Sequence, residues 1–542
     1  MTGASAKGAG SMREANIEAG SEARGGEVSR RGLGFVLAVV TLYAVLHAGF
    51  RLLASHVLGE DDVVDIVLTQ DLLAGYEAFA RQPPLYDWVL WAVQQVTGPR
   101  FENFLVIKYA ALVASAGFLY LAARRVLDDR LFALLSVESL ALIYSISWRY
   151  HEGFTHEVGA MVAVLATTWL LVRILQEGRT ADYAGLAIAM GLGFLTEPAY
   201  TVFLVTFLMA AMLQPALRSV LLRPPLALAV LAALVIASPY LTWLLDEPRR
   251  LTWLTGLWSD GWSFNWEGIW DAVRGPVAYL SPLLFILPIM FPGWLKTAWA
   301  DLRNWPPAAG PPDYERLILH AAGLAFLASV VGALVFEVSG LAVHVLMPLY
   351  LASVIWLFGV ARRSGYERLH VQRFTRLALA IALIAFVARM ANLYVMEPAC
   401  QTCRWGIPYA TLADEMRGRG VEDGGTIVSL DNELSGNLRP HFPHSAVVTR
   451  LYPNFTPEGA DWTRGRVAYL WDGAMSPKAA QRHLRFLLPK GIEAGDGELI
   501  SVPWRSLWRE TGYRHSQWYL LVVEKGDKKR IVNTGRARRL GL

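Results

Sequence analysis

Three adjacent acidic residues, Glu60, Asp61 and Asp62, follow a glycine in the first long polar stretch of the chain. Like charges held this close repel one another, which raises the pKa of at least one carboxyl group unless a cation or a hydrogen-bond donor compensates. A carboxylate in such a setting suits a general base or an electrostatic stabiliser. The competing interpretation is a solvated acidic loop, and spacing alone does not choose between the two.

A second polar group falls in residues 148–157. Within seven residues stand His151, Glu152, His156 and Glu157, with Arg149 just before them. Imidazole and carboxylate groups can ligate zinc, and an arginine with imidazoles can equally hold a phosphate. The two His-Glu pairs are five residues apart, which matches no standard ligand spacing. A polar substrate wall is therefore favoured over a metal site, and metal dependence stays open.

Two further segments have the residue types of a binding surface. Gly75-Tyr76 precedes Arg81-Gln82-Pro83-Pro84, where Pro-Pro fixes an extended bend. An ordinary turn between helices is the alternative interpretation of this segment. The loop 246–275 contains five tryptophans, four of them spaced every fourth residue. Indole rings concentrate at the lipid–water boundary, which favours an interfacial helix. A groove for a lipid or a sugar is the alternative.

The elements that must position these residues are those of a membrane protein. Of 542 residues, 54% are hydrophobic and 18% charged, against about 45–50% and about 25% in soluble chains. The net charge of +4 comes without a basic stripe, so no nucleic-acid partner is expected. The sequence contains no phosphate-binding glycine loop, HExxH or GxSxG motif, and nothing in it requires a cofactor.

About eleven apolar runs approach the roughly 20 residues that cross a bilayer. They begin near Leu33, Phe104, Leu131, Val158, Tyr183, Tyr200, Leu226, Val277, Leu317, Leu341 and Leu377. With residues 1–30 as a disordered cytoplasmic tail, Lys and Arg concentrate in alternate loops, as the positive-inside rule requires. The loops 55–102, 148–157 and 246–275 then face outward. An odd number of spans places the C-terminus outside as well.

From residue 396 onward the pattern changes to that of a soluble α/β domain, so residues 31–395 form the membrane domain. Strands are predicted at 426–430, 467–471 and 518–523, and helices at 408–417 and after residue 476, a serine N-cap followed by proline. Cys400 and Cys403 would lie on the oxidising side. A disulfide and two free thiols remain open alternatives for this pair.

The order of these motifs resembles glycosyltransferase family 39 of the GT-C superfamily, which includes protein O-mannosyltransferases and lipid A aminoarabinose transferases. The family pattern is an acidic pair, a glutamine about nine positions on, Gly-Tyr and Pro-Pro-Leu. The matching residues here are Asp61-Asp62, Gln70, Gly75-Tyr76 and Pro83-Pro84-Leu85. A Trp–Thr-His segment before the fourth span also fits. The resemblance covers most of the chain from about residue 33 and is strongest up to about residue 172.

The resemblance implies a polytopic α-helical GT-C fold and an inverting transfer of a sugar from polyprenyl phosphate, at the outer face of the inner membrane. The acceptor would be an envelope lipid, glycan or protein. Asp61 would deprotonate or orient the acceptor hydroxyl, with Asp62 as the second catalytic acid. The implied substrate-binding residues are Glu60, Tyr76, Arg81, Gln82, Pro83, Pro84, Arg149, His151, Glu152, His156 and Glu157.

This sequence departs from the family at two of these positions. Asp62 stands where glutamate is usual, and Gln82 stands where aminoarabinose transferases often have a lysine that contacts the phosphate. Arg81 or Arg149 could supply that contact instead.

Two other functions compete with a transferase: a transporter or flippase of an envelope substrate, and a scaffold that presents its soluble domain. Transporters tend to show inverted repeats and broken helices near the midplane. This sequence shows no clear repeat, and its ionisable residues gather in outer loops. Lys108 and Glu138 are exceptions within apolar runs and are expected either to pair or to line a cavity.

Overall fold

The structure is a computed structural model that describes residues 31–72, 82–246, 265–304, 310–335, 346–396, 399–400, 403–450, 455–457, 467–485, 487–488, 493–504 and 514–523. Its first helices, in chain order, are Arg31–Ala54 (α1), Asp61–Leu68 (α2), Leu85–Thr97 (α3), Phe101–Leu127 (α4), Arg130–Glu138 (α5), Tyr144–Ser147 (α6), His156–Gln176 (α7), Thr180–Phe194 (α8), Pro198–Leu213 (α9), Pro215–Leu221 (α10) and Pro224–Asp246 (α11). The following helices are Trp266–Tyr279 (α12), Leu283–Met290 (α13), Trp294–Arg303 (α14), Tyr314–Val335 (α15), Met347–Tyr350 (α16), Ser353–Arg363 (α17), Arg368–Tyr394 (α18), Tyr409–Gly418 (α19), Asn432–Leu438 (α20) and Pro477–Leu484 (α21).

Among the described residues, six helices are long and apolar enough to cross a membrane, or seven if the bent pair α13–α14 forms one span. The six are α1, α4, α7, α11, α15 and α18. The protein is therefore a multi-pass membrane protein, with fewer full-length helices than the eleven runs predicted from hydropathy. The predicted run from Leu341 begins among residues 336–345, which lie outside the described residues.

Two of the predicted spans are broken helices. The run from Leu131 stops as an α-helix at Glu138, because the extended backbone of Ile143 pairs with Pro282 and the Tyr144 N–H donates to the Ser281 carbonyl at 3.2 Å. The run near Val277 divides into α12, α13 and α14. The last two helices bend by 114° where Gly293 adopts a φ of 85°. Hydropathy registers the apolar length of such a run but not its breaks.

The helix pair α8 and α9 turns where the sequence indicated. The first helix ends at Phe194 and the second begins with Pro198 at a position where its missing N–H costs nothing. Both helices are short, since 15 or 16 residues at about 1.5 Å rise span about 22–24 Å. Glu197 is buried between them.

The C-terminal region contains a mixed five-stranded sheet in the order β2-β1-β3-β5-β4. Its strands are Thr426–Ser429 (β1), Ala446–Thr449 (β2), Val467–Asp472 (β3), Glu498–Pro503 (β4) and His515–Val523 (β5). Strand β1 runs parallel to β2 and β3, and β5 runs antiparallel to β3 and β4. Ser476 caps α21 by accepting from the Ala479 N–H, as the sequence predicted. Cys400 and Cys403 form a disulfide.

The loop after α1 is fastened to this C-terminal region. It is called the first outer loop after the side of the membrane predicted for it, and residues 148–157 are called the second outer loop for the same reason. The Gln70 amide pairs with the backbone of Val447 in both directions, each at 2.8 Å. Asn437 does the same with Leu58, accepting its N–H at 2.7 Å and donating to its carbonyl at 3.2 Å. Helix α1 ends at Ala54, where this loop begins. The C-terminal sheet therefore lies near the C-terminal end of α1 and away from its N-terminal end.

Candidate active site

Helix α2 begins at Asp61 and carries the acidic triplet. Glu60, just before it, has a φ of 52°, in the left-handed region. Asp61 and Asp62 occupy the first turn, where the partial positive charge of the helix N-terminus stabilises anions. The helix packs against α20 so closely that a Cβ on Gly436 would lie 2.4 Å from the Val63 carbonyl oxygen. The acids are thus presented on a short, braced helix.

Asp61 is exposed at one face, while protein surrounds the rest of its carboxyl group. This partial burial is the largest cause of a pKa raised to about 6, and repulsion from Glu157, Asp62 and Glu60 adds to it. Lys108 opposes the rise. A carboxyl that titrates near neutral pH and faces open space has the properties of a general base.

Asp62 points the other way, into the protein. Its Oδ1 lies 2.7 Å from Lys108 Nζ, and the side chains of Asp62 and Lys108 are 6% and 5% exposed. Burial raises the pKa of Asp62, and the lysine opposes that rise. Lys108 therefore pairs with an outer-loop acid. Glu138, the other ionisable residue expected within an apolar run, accepts from Thr375 at 3.0 Å and lines an apolar cavity of about 420 Å³.

Glu60 is the centre of a half-exposed charge network. Its carboxylate lies 3.7 Å from Arg149 Nη2 and 3.5 Å from Arg404 Nη2. Arg404 also approaches Glu433 at 3.5 Å, which extends the network into the C-terminal region. The second outer loop reaches this point because Gly153 has no side chain: a Cβ there would lie 2.2 Å from Glu60 Oε2.

The polar residues of the second outer loop divide into two groups. His151 is buried, with one ring nitrogen 2.8 Å from the Tyr43 hydroxyl and the other 2.9 Å from the Tyr109 hydroxyl. Arg389 of α18 donates to the His151 carbonyl at 2.5 Å and lies 3.3 Å from Glu152. This first group therefore ties the loop to α18. His151 and Glu152 do not meet His156 and Glu157 as one ligand set.

His156 and Glu157, at the start of α7, form the second group and face α2 and α3. Nε2 of His156 lies 4.0 Å from Asp65 and 4.0 Å from Asp87, two buried acids that the sequence analysis did not single out. Burial raises the pKa of Asp87 to about 7. The sequence did hold a signal for Asp65, which lies four residues after Asp61 and hence on the same helix face.

A third missed acid is Glu197, at the turn before α9. Burial, followed by the charges of Glu157 and Asp61, raises its pKa well above the ordinary value. The alternation of spans puts this turn on the same predicted side as the outer loops, but no motif or spacing joins Glu197 to Asp61, which it follows by more than a hundred positions. It completes an acidic wall whose described members are Asp61, Asp62, Asp65, Asp87, Glu157 and Glu197.

The Pro-Pro segment is placed beside this wall. The carbonyl of Pro83 lies 3.0 Å from Nδ1 of His156, and Pro84 directly precedes α3. Gln82 is half-buried. Tyr76 and Arg81 lie outside the described residues, as do Trp253, Trp258 and Trp262.

The predicted tryptophan series is described in part. Of the tryptophan series, Trp266 and Trp270 are exposed on α12, at 72% and 61%. A cavity of about 660 Å³ opens between the first outer loop and the C-terminal region. Its walls include Ser55, His56, Phe101, Trp405, Tyr409 and His441.

Comparison with known proteins shows which families and folds the chain resembles. Residues 81–243 match the family described as dolichyl-phosphate-mannose-protein mannosyltransferase. The fold is similar to that of ArnT from Cupriavidus metallidurans, solved with undecaprenyl phosphate: the TM-score is 0.58 at 14% identity, over 90% of this chain and 98% of that one. The apo form of the same protein gives 0.55. The chain is a multi-pass membrane glycosyltransferase with a fold like that of ArnT, as the resemblance predicted.

Two relatives of known activity match most of the chain. The lipopolysaccharide core galacturonosyltransferase RgtB of Rhizobium johnstonii is 25% identical over 445 residues, covering 80% of this chain and 86% of the relative. RgtA of the same organism, a lipopolysaccharide core galacturonosyltransferase as well, is 25% identical over 484 residues, covering 87% and 93%. The similarity therefore covers at least four-fifths of this chain and of each relative.

Proposed function

We propose that this protein transfers a sugar of the hexuronic acid class from a polyprenyl-phosphate donor to a lipid or glycan of the cell envelope. The observation that carries the proposal is Asp61, a carboxyl of raised pKa at the exposed start of α2, beside the half-exposed Arg149. The sugar class and the glycan acceptor are suggested by the relatives' activity. The lipid-linked donor is suggested by the ArnT structure with undecaprenyl phosphate.

The reaction is an inverting displacement. The acceptor hydroxyl gives its proton to Asp61 as its oxygen attacks the anomeric carbon. The bond from that carbon to the phosphate oxygen breaks, and polyprenyl phosphate leaves with the electron pair. Arg149 stabilises the negative charge that develops on the phosphate. Asp62 serves catalysis by holding Lys108 near Asp61, where the lysine charge opposes the rise in the pKa of Asp61.

The remaining predicted contacts divide between binding and positioning. Tyr76, Arg81, Gln82 and the Pro83-Pro84 bend contact the donor, and Glu60 orients Arg149. His156 and Glu157 shape the wall of the site. His151 and Glu152 position the second outer loop through Arg389. The cavity of about 660 Å³ beside Trp405 admits the acceptor, with the C-terminal region as one of its walls.

The same proposal includes the topology. The N-terminus lies in the cytoplasm, eleven crossings span the inner membrane, and residues 396–542 form an α/β domain on the outer face. Two findings support this sidedness: the C-terminal sheet packs on the loop after α1, and the acidic residues of the site gather there. An alkaline phosphatase fusion after residue 542 should be active in cells, and a fusion after residue 30 should be inactive.

Lipid mass spectrometry of cells tests the function. Polyprenyl-phosphate sugars are compared among cells that make wild-type protein, Asp61→Asn, the control Asp128→Asn, or none. One glycosylated carrier should accumulate with Asp61→Asn and without the protein, and should stay low with wild type and the control. Matching profiles in all four strains, with Asp61→Asn inserted at normal levels, would favour a transporter or a scaffold.

A further inference from the structure

A buried cluster of three metal-ligating side chains lies one helical turn beyond Asp61. Asp65 of α2, Asp87 of α3 and His156 of α7 each direct one ligand atom to a common point, with all three atoms within 4.8 Å of one another. Their side chains are 2%, 9% and 0% exposed. Three separate elements thus meet at a site closed to bulk water.

His156 is oriented as a metal ligand is. Its Nδ1 donates to the Pro83 carbonyl oxygen over 3.0 Å, so Nε2 of the neutral ring carries the lone pair and faces the two carboxyl groups. Histidines that bind metals commonly donate their other ring N–H to a backbone carbonyl in this way. Nε2 is fully buried and has no hydrogen-bond partner among the described residues.

Each of the two carboxyl groups also has one oxygen without a partner within the described ranges, although the Thr155 side chain interacts with Asp65. Asp65 Oδ2 and Asp87 Oδ1 are buried without a hydrogen bond in the described part of the chain. The neighbouring charges that act on Asp65 are those of Asp87, Asp61 and Asp62, and Asp62 already holds Lys108. Buried charges are costly unless they are paired or coordinate a metal. A bound cation would satisfy all three residues at once.

We propose that Asp65, Asp87 and His156 bind one divalent cation that accepts mixed nitrogen and oxygen ligands, such as Zn²⁺ or Mn²⁺. Two carboxylate oxygens and one imidazole nitrogen suit these ions. Bonds of about 2.0–2.2 Å in a tetrahedral arrangement put ligand atoms about 3.4 Å apart. The two Nε2–oxygen separations of 4.0 Å would have to shorten by about 0.6 Å, and no pair among the three ligand atoms, which all lie within 4.8 Å of one another, by more than about 1.4 Å.

The cation would join α2 to α3 and α7 and fix the helix that presents Asp61. The proposal concerns binding and does not depend on which sugar is transferred. The competing account is that protons neutralise the cluster, either on the carboxyl groups or on a charged His156.

The test is metal binding by the untagged, full-length protein in detergent. After treatment with EDTA, the protein is dialysed against Zn²⁺ or Mn²⁺ and bound metal is measured by inductively coupled plasma mass spectrometry. Wild type and the control Asp128→Asn should bind about one equivalent. Asp65→Asn and His156→Gln should bind roughly tenfold less tightly or worse.

Failure to bind either ion above the level of Asp65→Asn, with both proteins monodisperse, overturns the proposal and leaves protons as the neutralising species. If the variants aggregate, wild-type protein alone decides through competition with a chromophoric Zn²⁺ chelator. Withdrawal of about one equivalent from the chelator supports the site, and no withdrawal overturns it. Because the readout is bound metal, this test is independent of transferase activity.

Discussion

The buried ion pair between Asp62 and Lys108, next to the proposed catalytic Asp61, should contribute to the free energy of unfolding of the protein. Lys108→Met leaves the Asp62 carboxyl about 6% exposed and without its partner at 2.7 Å. Removing one member of a buried pair costs about 3–5 kcal/mol, because the remaining charge is buried and uncompensated. We expect Lys108→Met to lower the free energy of unfolding by up to about that amount, since the charge of Arg51 also acts on Asp62.

The double variant Asp62→Leu/Lys108→Met separates this loss from simple damage to packing. Replacing a buried pair by apolar residues of similar volume is often neutral, so the double variant should be more stable than Lys108→Met. The assay is unfolding by SDS in mixed micelles, followed by circular dichroism. Asp128→Asn, whose carboxyl is 93% exposed in a pair with Arg124, should cost less than about 1 kcal/mol.

Two results would refute the reasoning. One is a cost for Lys108→Met no greater than that of Asp128→Asn. The other is a double variant as unstable as the sum of its two single changes, since that would mean the two side chains do not interact.

Three further predictions concern the candidate site and its contact with the C-terminal region. Because transfer needs ionised Asp61, whose pKa is about 6, kcat/KM should fall about tenfold per pH unit below 6 and level off above it, and a flat profile from pH 5 to 8 would contradict that role. Arg149→Ala should lower kcat/KM about tenfold or more, with partial recovery in Arg149→Lys; equal activity of all three proteins would remove Arg149 from the site. Gln70→Ala deletes two hydrogen bonds to Val447, worth about 0.5–1.5 kcal/mol each. Limited trypsin digestion should therefore release the C-terminal region faster from this variant than from wild type. An unchanged rate would show that these bonds do not hold the C-terminal region in place.

The sequence located the acids of the first outer loop because they are adjacent and follow the family order. It did not separate the roles of Asp61 and Asp62, since only the fold shows that one faces open space and the other faces Lys108. It grouped His151 with His156 because they are five positions apart, whereas the structure turns them toward different helices. Arg404 could not be found, because contacts between segments hundreds of residues apart leave no local pattern.

Three of the five described strands, β1, β3 and β5, and several helix starts were accessible from sequence for local reasons. Ser476 before a proline specifies a helix N-terminus, and the consecutive β-branched residues Thr426, Ile427 and Val428 specify β1. Membrane helices were less accessible, because hydropathy measures apolar length. It does not detect the backbone pairing at Ile143 or the left-handed Gly293 that interrupt two apolar runs.

The most direct test of the central claim is sugar transfer by the purified protein from a defined polyprenyl-phosphate hexuronic acid to an envelope glycolipid acceptor. Release of polyprenyl phosphate and the anomeric configuration of the product are measured for wild type, Asp61→Asn and Asp128→Asn. The account predicts acceptor-dependent release of polyprenyl phosphate and a product of inverted configuration with wild type and Asp128→Asn. It predicts little or no activity with Asp61→Asn. Full activity of Asp61→Asn, or retention of configuration, would contradict it.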